Sequence, residues 1–176
     1  MTKVLIVIDM QNDFIDGSLG TKEAQAIVEN VVNKVKAHDY DELCFTQDTH
    51  FSNYLETQEG KNLPVPHCIY RTKGWELQKD LKAVAERGNV YIVSKDSFGA
   101  HPEIFKEGFS DYYADGLEFE VVGLCTDICV VSNVLILKAL FPEAKITIDS
   151  SCCAGVTPEK HEAALEVMRS CQIEVI

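Results

Sequence analysis

Short apolar, β-branched runs alternate with longer amphipathic segments along the whole chain, and that alternation limits the fold more than any other feature. The strand candidates are Val4 to Ile8, Glu42 to Thr46, Val90 to Ser94, Phe119 to Val122, Lys145 to Ile148 and Ile173 to Ile176. Most are continuous in hydrophobicity, as strands covered on both faces are. Between them, Ala24 to Ala37 puts Ile27, Val28, Val31, Val32 and Val35 on one helical face, and Trp75 to Arg87 repeats Leu77, Leu81, Val84 and Ala85. Asp127 to Leu140 is apolar nearly all round, which predicts a deeply buried helix. Pro158 to Ser170 opens with Thr157 as a cap, Pro158 in the first turn and Glu159 and Glu162 at the positive end. Strand and helix in alternation predict a parallel, doubly wound α/β sheet with helices on both faces, a Rossmann-like three-layer sandwich. A length of 176 residues suits one domain over 1–176, and no linker or repeat divides it. The least regular stretch, Phe51 to Thr72, is long for a structureless loop and is expected to be functional.

The formal net charge of −12 argues against a nucleic-acid surface, which needs a basic stripe. No apolar stretch approaches the roughly 18 residues of a membrane span. The opening MTKVLIVIDM has too short an apolar run for a signal peptide. The seven cysteines are an odd number, and several lie in apolar runs, as free buried thiols do. A reducing cytosol is the expected location.

Ligands of such sheets bind outside the carboxyl ends of the strands. Strand one ends in Asp9, strand two in Gln47-Asp48-Thr49-His50, strand three in Lys95-Asp96, and strand four in Gly123-Leu124-Cys125-Thr126-Asp127-Ile128-Cys129. One rim thus gathers an acid, an acid with an imidazole, an amine and a thiol. Cys129 falls just inside the predicted buried helix, after Thr126 and Asp127, either of which can cap it. A helix N-terminus favours a thiolate and offers N–H groups to an oxyanion. Cys125, before the helix, is the rival nucleophile and gains less from the dipole. Asp9 can serve as the base and Lys95 as its holder; the residues alone also allow a structural salt bridge there and a core role for Cys129. Asp48-x-His50 sets a carboxylate and an imidazole on one side of an extended segment. His67, in Pro64-Val65-Pro66-His67, offers a third donor, and such a set suits zinc, iron or manganese. A phosphatase of the haloacid-dehalogenase type would want a second Asp where Gln11 stands, and Asp9-Met10-Gln11-Asn12 lacks the Gly-rich turn of a dinucleotide site. A non-catalytic protein that keeps the fold would not need Asp9, Lys95 and Cys129 together.

Ile8-Asp9-Met10-Gln11-Asn12-Asp13-Phe14 with Gly17-Ser18-Leu19, Asp48-Thr49-His50-Phe51, Pro66-His67-Cys68-Ile69, Lys95-Asp96-Ser97-Phe98 and Gly123 to Val130 carry a resemblance over essentially the whole length. The chain resembles the nicotinamidase and isochorismatase-like cysteine hydrolase superfamily. The resemblance implies a six-stranded parallel sheet, Cys129 as nucleophile, Asp9 as general base and Lys95 as third member of the triad. It implies backbone N–H groups of Cys125 and Cys129 as oxyanion hole, with a cis peptide at Leu124–Cys125. Phe14 matches one wall of the substrate-ring site, and Asp48, His50 and His67 match the metal ligands of the nicotinamidase branch. The aromatic residue often found just before the third ligand is missing, for Asn62-Leu63-Pro64-Val65 stands there. The implied activity is hydrolysis of a small carboxamide through a thioester with release of ammonia, nicotinamide to nicotinic acid foremost. The alternatives are another small amide, ureide or carbamoyl compound, or an isochorismatase-type reaction. The implied cofactor is a divalent metal, zinc first, and family members are usually homo-oligomers.

Overall fold

In the computed structural model, which describes residues 1–88, 90–113 and 116–176, six strands form one sheet. They are β1 (Thr2–Ile8), β2 (Glu42–Asp48), β3 (Tyr91–Lys95), β4 (Leu117–Leu124), β5 (Lys145–Ala154) and β6 (Glu174–Val175), in the order β3-β2-β1-β4-β5-β6. All pairings are parallel. The helices are α1 (Asn12–Ile15), α2 (Lys22–Ala37), α3 (Gln58–Asn62), α4 (Lys79–Ala85), α5 (Pro102–Tyr113), α6 (Val131–Leu140) and α7 (Pro158–Ser170).

β1 shows why both faces must be covered. Val4, Ile6 and Ile8 point into one core, with Phe105 and Phe109 of α5, Val134 and Leu137 of α6, and Leu165 and Met168 of α7. Leu5 and Val7 point into the other, with Ile27, Val31 and Val35 of α2 and Leu81 of α4. Each such buried side chain contributes roughly 1.5–3 kcal/mol over leaving it in water. β4 and β5 depart from the expected continuous pattern. Their first halves alternate, with Glu118, Glu120, Thr147 and Asp149 partly buried on the α2 face. There Lys34 of α2 pairs with Glu120, and with Asp149 at 2.8 Å, so an amphipathic helix covers charged strand positions through its own amine.

One other expectation is corrected, and two further segments carry helices that the sequence did not signal. The helix predicted from Trp75 is confined to Lys79–Ala85, capped by Gln78, whose side chain accepts from Asp80 and Leu81 N–H; Trp75 and Leu77 instead pack from the preceding loop. α5 was not expected, because the aromatic pair Phe105 and Phe109 sits in a polar stretch without a strong start signal. Phe51 to Thr72 holds a 3₁₀ turn, Tyr54–Glu56, and α3, whose Thr57 side chain caps Gly60 N–H at 3.0 Å.

The chain winds outward from β1 through β2 to β3, then returns to β4 on the other side of β1. The two halves therefore diverge between the ends of β1 and β4, which opens a crevice there. Gly123 makes that close pairing possible: at φ +122 it lies against β1, where any side chain would collide with the Ile8 carbonyl.

Candidate active site

Asp9 follows β1 directly and adopts φ +44, a left-handed conformation unusual for a non-glycine residue. Thr46 of β2 holds it there: its hydroxyl accepts from Asp9 N–H at 3.1 Å and donates to Asp9 Oδ1 at 2.6 Å. The other oxygen, Oδ2, lies 2.7 Å from Lys95 Nζ. Both side chains are sealed from water, at 0% and 1% exposure, so neither charge is stable without the other. Lys95 Nζ also donates to Ser97 O at 3.0 Å and stands 3.6 Å from Cys129 Sγ. The three residues expected at the strand ends are thus one buried cluster.

The segment carrying Cys129 differs from the expected helix start. Thr126–Val130 is a π-turn, in which Cys125 O accepts from both Ile128 and Val130 N–H; α6 begins after it. Thr126 and Asp127 do not cap it. Thr126 Oγ1 instead bonds His161 Nδ1 of α7 at 2.8 Å, and Asp127 Oδ1 accepts from Val156 N–H at 2.9 Å. The Leu124–Cys125 peptide is cis.

Burial pushes the Cys129 thiol well above its ordinary pKa and the Asp9 carboxylate adds to that, while Lys95 opposes them. Asp9 is itself raised, by burial first, with Lys95 and Thr46 pulling it back. A carboxylate of raised basicity beside a buried thiol is suited to take its proton. Burial, with Asp127 and Asp9, pushes Cys125 up to about 12. Lys95 Nζ stands at the Cys129 thiol and makes no such contact with Cys125 among the described residues, and this separates the two rivals.

Next to this cluster, Asp48, His50 and His67 are all buried, and their donor atoms lie within 4.8 Å of one another. Gln11 fixes Asp48 by imitating a neighbouring strand: its Oε1 accepts Asp48 N–H at 2.7 Å and its Nε2 donates to Asp48 O at 2.8 Å. His67 is brought over from the irregular segment by backbone pairing, with Cys68 O accepting His50 N–H at 2.9 Å and Tyr70 N–H donating to His50 O at 2.8 Å. Asp13 Oδ2 accepts Cys68 N–H at 2.8 Å and fastens the same segment to α1. His67 Nδ1 meets Val65 O at 2.9 Å, which leaves Nε2 as the free lone pair.

The donor set fits a cation. His50 Nε2 is buried without a hydrogen-bond partner among the described residues, 3.0 Å from Asp48 Oδ2, and His67 Nε2 is 3.4 Å from the same oxygen. Two nitrogen lone pairs facing one carboxylate oxygen repel unless a proton or a metal ion lies among them. The His, His, carboxylate combination suits zinc, iron or manganese. Asp48 Oδ1 is also 3.5 Å from Lys95 Nζ, so one carboxylate borders both clusters.

Sequence reasoning missed two residues here. Glu59 of α3 places Oε1 3.7 Å from His50 Nε2 and 3.5 Å from His67 Nε2. Tyr54, fully buried, meets both imidazoles edge-on, with centroids 4.7 and 5.0 Å away. Both lie in the irregular segment, whose spacing carries no periodic signal; only Thr57 as a cap three residues before Gly60 hinted at a turn. Phe14 does reach the site, 5.5 Å from the His67 ring. Trp75 donates its indole N–H to Thr49 Oγ1 at 2.9 Å and packs edge-on against Tyr70.

A doubly wound parallel sheet with an acid, an amine and a thiol buried together at its switch point defines an α/β fold of the isochorismatase-like kind. The isochorismatase domain description matches residues 3–176, and the chain belongs to that family. The nicotinamidase/pyrazinamidase of Mycobacterium tuberculosis is 26% identical, with 99% of this chain and 98% of the relative covered. The crystal structure of a nicotinamidase/pyrazinamidase from Bacillus subtilis superposes with a TM-score of 0.84 at 28% identity, over 99% of both chains. A pyrazinamidase of Pyrococcus horikoshii, solved in complex with zinc, shares the fold at a TM-score of 0.75 and 24% identity, over 100% of this chain and 99% of that one.

Proposed function

We propose that the protein hydrolyses a small carboxamide through a cysteine thioester, with nicotinamide as the first substrate to consider. The observation that carries this reading is the sealed cluster in which Lys95 Nζ stands 2.7 Å from Asp9 and 3.6 Å from Cys129 Sγ. The relatives named above add support, being called nicotinamidases or pyrazinamidases.

Cys129 Sγ attacks the carboxamide carbon while Asp9 takes the thiol proton. Backbone N–H groups of Cys125 and Cys129 receive the oxyanion. The tetrahedral adduct collapses, the C–N bond breaks, and the proton on Asp9 leaves with the nitrogen as ammonia. Water then attacks the thioester, Asp9 takes a proton from it, and the acid departs as the proton returns to Cys129. Lys95 keeps Asp9 ionised between these transfers and faces the developing negative charge. Phe14 lies against the substrate. Asp48, His50 and His67, with Glu59 near them, would hold a divalent ion, which would supply a Lewis-acid anchor for a substrate atom such as a ring nitrogen. The same reading takes the protein as a homo-oligomer in a reducing cytosol, consistent with seven free thiols.

The test is ammonia release from nicotinamide and a panel of small amides, ureides and carbamoyl compounds, using metal-replete protein with Cys129→Ala as control. Release from nicotinamide that disappears in Cys129→Ala is expected. Turnover near wild type in that variant removes Cys129 as nucleophile, and turnover of a different panel member alone moves the substrate assignment there.

A further inference from the structure

α6 is apolar along most of its length, yet it carries one fully buried polar side chain, Asn133, at 0% exposure. A leucine would suit the helix and its surroundings better on propensity and on desolvation. The amide is instead fully engaged. Nδ2 donates to Cys129 O at 2.7 Å and to Phe98 O at 3.2 Å, and Oδ1 accepts from Ala100 N–H at 2.9 Å.

These partners belong to two distant parts of the fold. Phe98 and Ala100 lie in the loop after β3, the edge strand, and the same loop provides Ser97 O to the Lys95 ammonium at 3.0 Å. Cys129 follows β4, which two other strands separate from β3. β3 and β4 are not paired with each other, so no direct backbone pairing joins the segments that carry Lys95 and Cys129. Asn133 joins the loop that holds the amine to the turn that holds the thiol.

We propose that Asn133 is a positioning residue that sets the spacing of Lys95 and Cys129, which rests on the reading of Cys129 as nucleophile. Its amide acts through backbone groups and touches neither substrate nor the reacting atoms. Two variants divide its bonds. Asn133→Leu loses all three. In Asn133→Thr the new hydroxyl can still reach Cys129 O four residues back, as Ser132 Oγ reaches Ile128 O at 2.7 Å on the same helix, but it is too short to hold the loop.

The experiment measures kcat and KM for nicotinamide, thermal unfolding, and iodoacetamide labelling of Cys129 resolved by peptide mass spectrometry. Labelling does not depend on the substrate assignment. Both variants are expected to unfold cooperatively, with kcat lowered on the order of 10- to 100-fold and KM nearly unchanged, as for a small misplacement of reacting groups. Cys129 labelling should slow in both. Asn133→Thr should recover stability over Asn133→Leu without recovering kcat. A folded Asn133→Leu or Asn133→Thr with wild-type kcat and labelling would overturn the proposal, as would losses that only follow the folded fraction. A wild-type protein whose Cys129 labels no faster than its other buried cysteines would instead overturn the nucleophile reading, and this proposal with it.

Discussion

Replacing Lys95 by methionine removes the only amine paired with Asp9 among the described residues, and its cost can be worked from the geometry. The aliphatic stem is kept, so packing changes little. Asp9, at 0% exposure, loses a partner at 2.7 Å, and Asp48 loses one at 3.5 Å. Leaving a buried charge unpaired costs about 3–5 kcal/mol. Asp9 can limit the loss by taking a proton. For a carboxyl with an ordinary pKa near 3.9, that costs about 4 kcal/mol at pH 7 and about 1.5 kcal/mol at pH 5, at 1.36 kcal/mol per unit. The sign follows: the folded variant holds a proton that the unfolded chain releases, so the variant gains stability as pH falls and loses it as pH rises. Urea unfolding of Lys95→Met against wild type at pH 7 and pH 5 measures this directly. At 2–4 °C per kcal/mol, the neutral-pH loss corresponds to a fall in Tm of about 6–20 °C. Lys95→Met/Asp9→Asn, which removes the orphaned charge, should be more stable than Lys95→Met and lose most of the pH dependence. A single variant within about 1 kcal/mol of wild type at pH 7, or a double variant no more stable than the single, would refute the account, since surface-like pairs are worth no more than that.

Asp48→Ala and His67→Ala should each lose bound divalent metal in elemental analysis of purified protein; unchanged content in both would remove the ligand assignment. Burial alone would lower His67, but the Asp48 carboxylate and the Val65 carbonyl outweigh it and raise it, so protons should displace the metal as pH falls toward and below the imidazole range, seen as release to a chelating dye. On the α2 face, burial pushes Asp149 up, but Lys34, Ser151 and Cys152 outweigh it and hold its carboxyl below the ordinary value. Lys34→Met should cost about 1 kcal/mol in urea unfolding at pH 7, solvent screening of the partly exposed amine reducing the value of a buried charged pair. Because the Asp149 contribution is present above its unfolded pKa and lost as pH falls through the folded one, that difference should narrow below about pH 4; a difference constant across that range would place the loss in packing instead.

The parallel sheet was legible because its strands are short β-branched runs and its helices repeat every three to four residues; those periods depend on local geometry alone. β1, β2 and α2 fell within a few residues of their observed bounds for that reason. Trp75 to Leu77 read as helix because side-chain spacing cannot report that Gln11 and Gln47 take the Trp75 carbonyl, at 2.8 and 3.2 Å, and hold that backbone out of a helix. The place of Cys129 near a helix start is visible in sequence, whereas the burial that raises its thiol is not.

By itself, then, the sequence determined the alternating α/β order, the chemical types at each strand end and the family resemblance, since each depends on residue identity and near neighbours. Only the tertiary structure decided that Asp9, Lys95 and Cys129 share one dry cluster, that Glu59 and Tyr54 stand beside His50 and His67, and that Asn133 joins the loop after β3 to the turn after β4. These are contacts between segments far apart in the chain. Their distances, and the low dielectric that gives them force, arise only when strand order and packing bring the segments together.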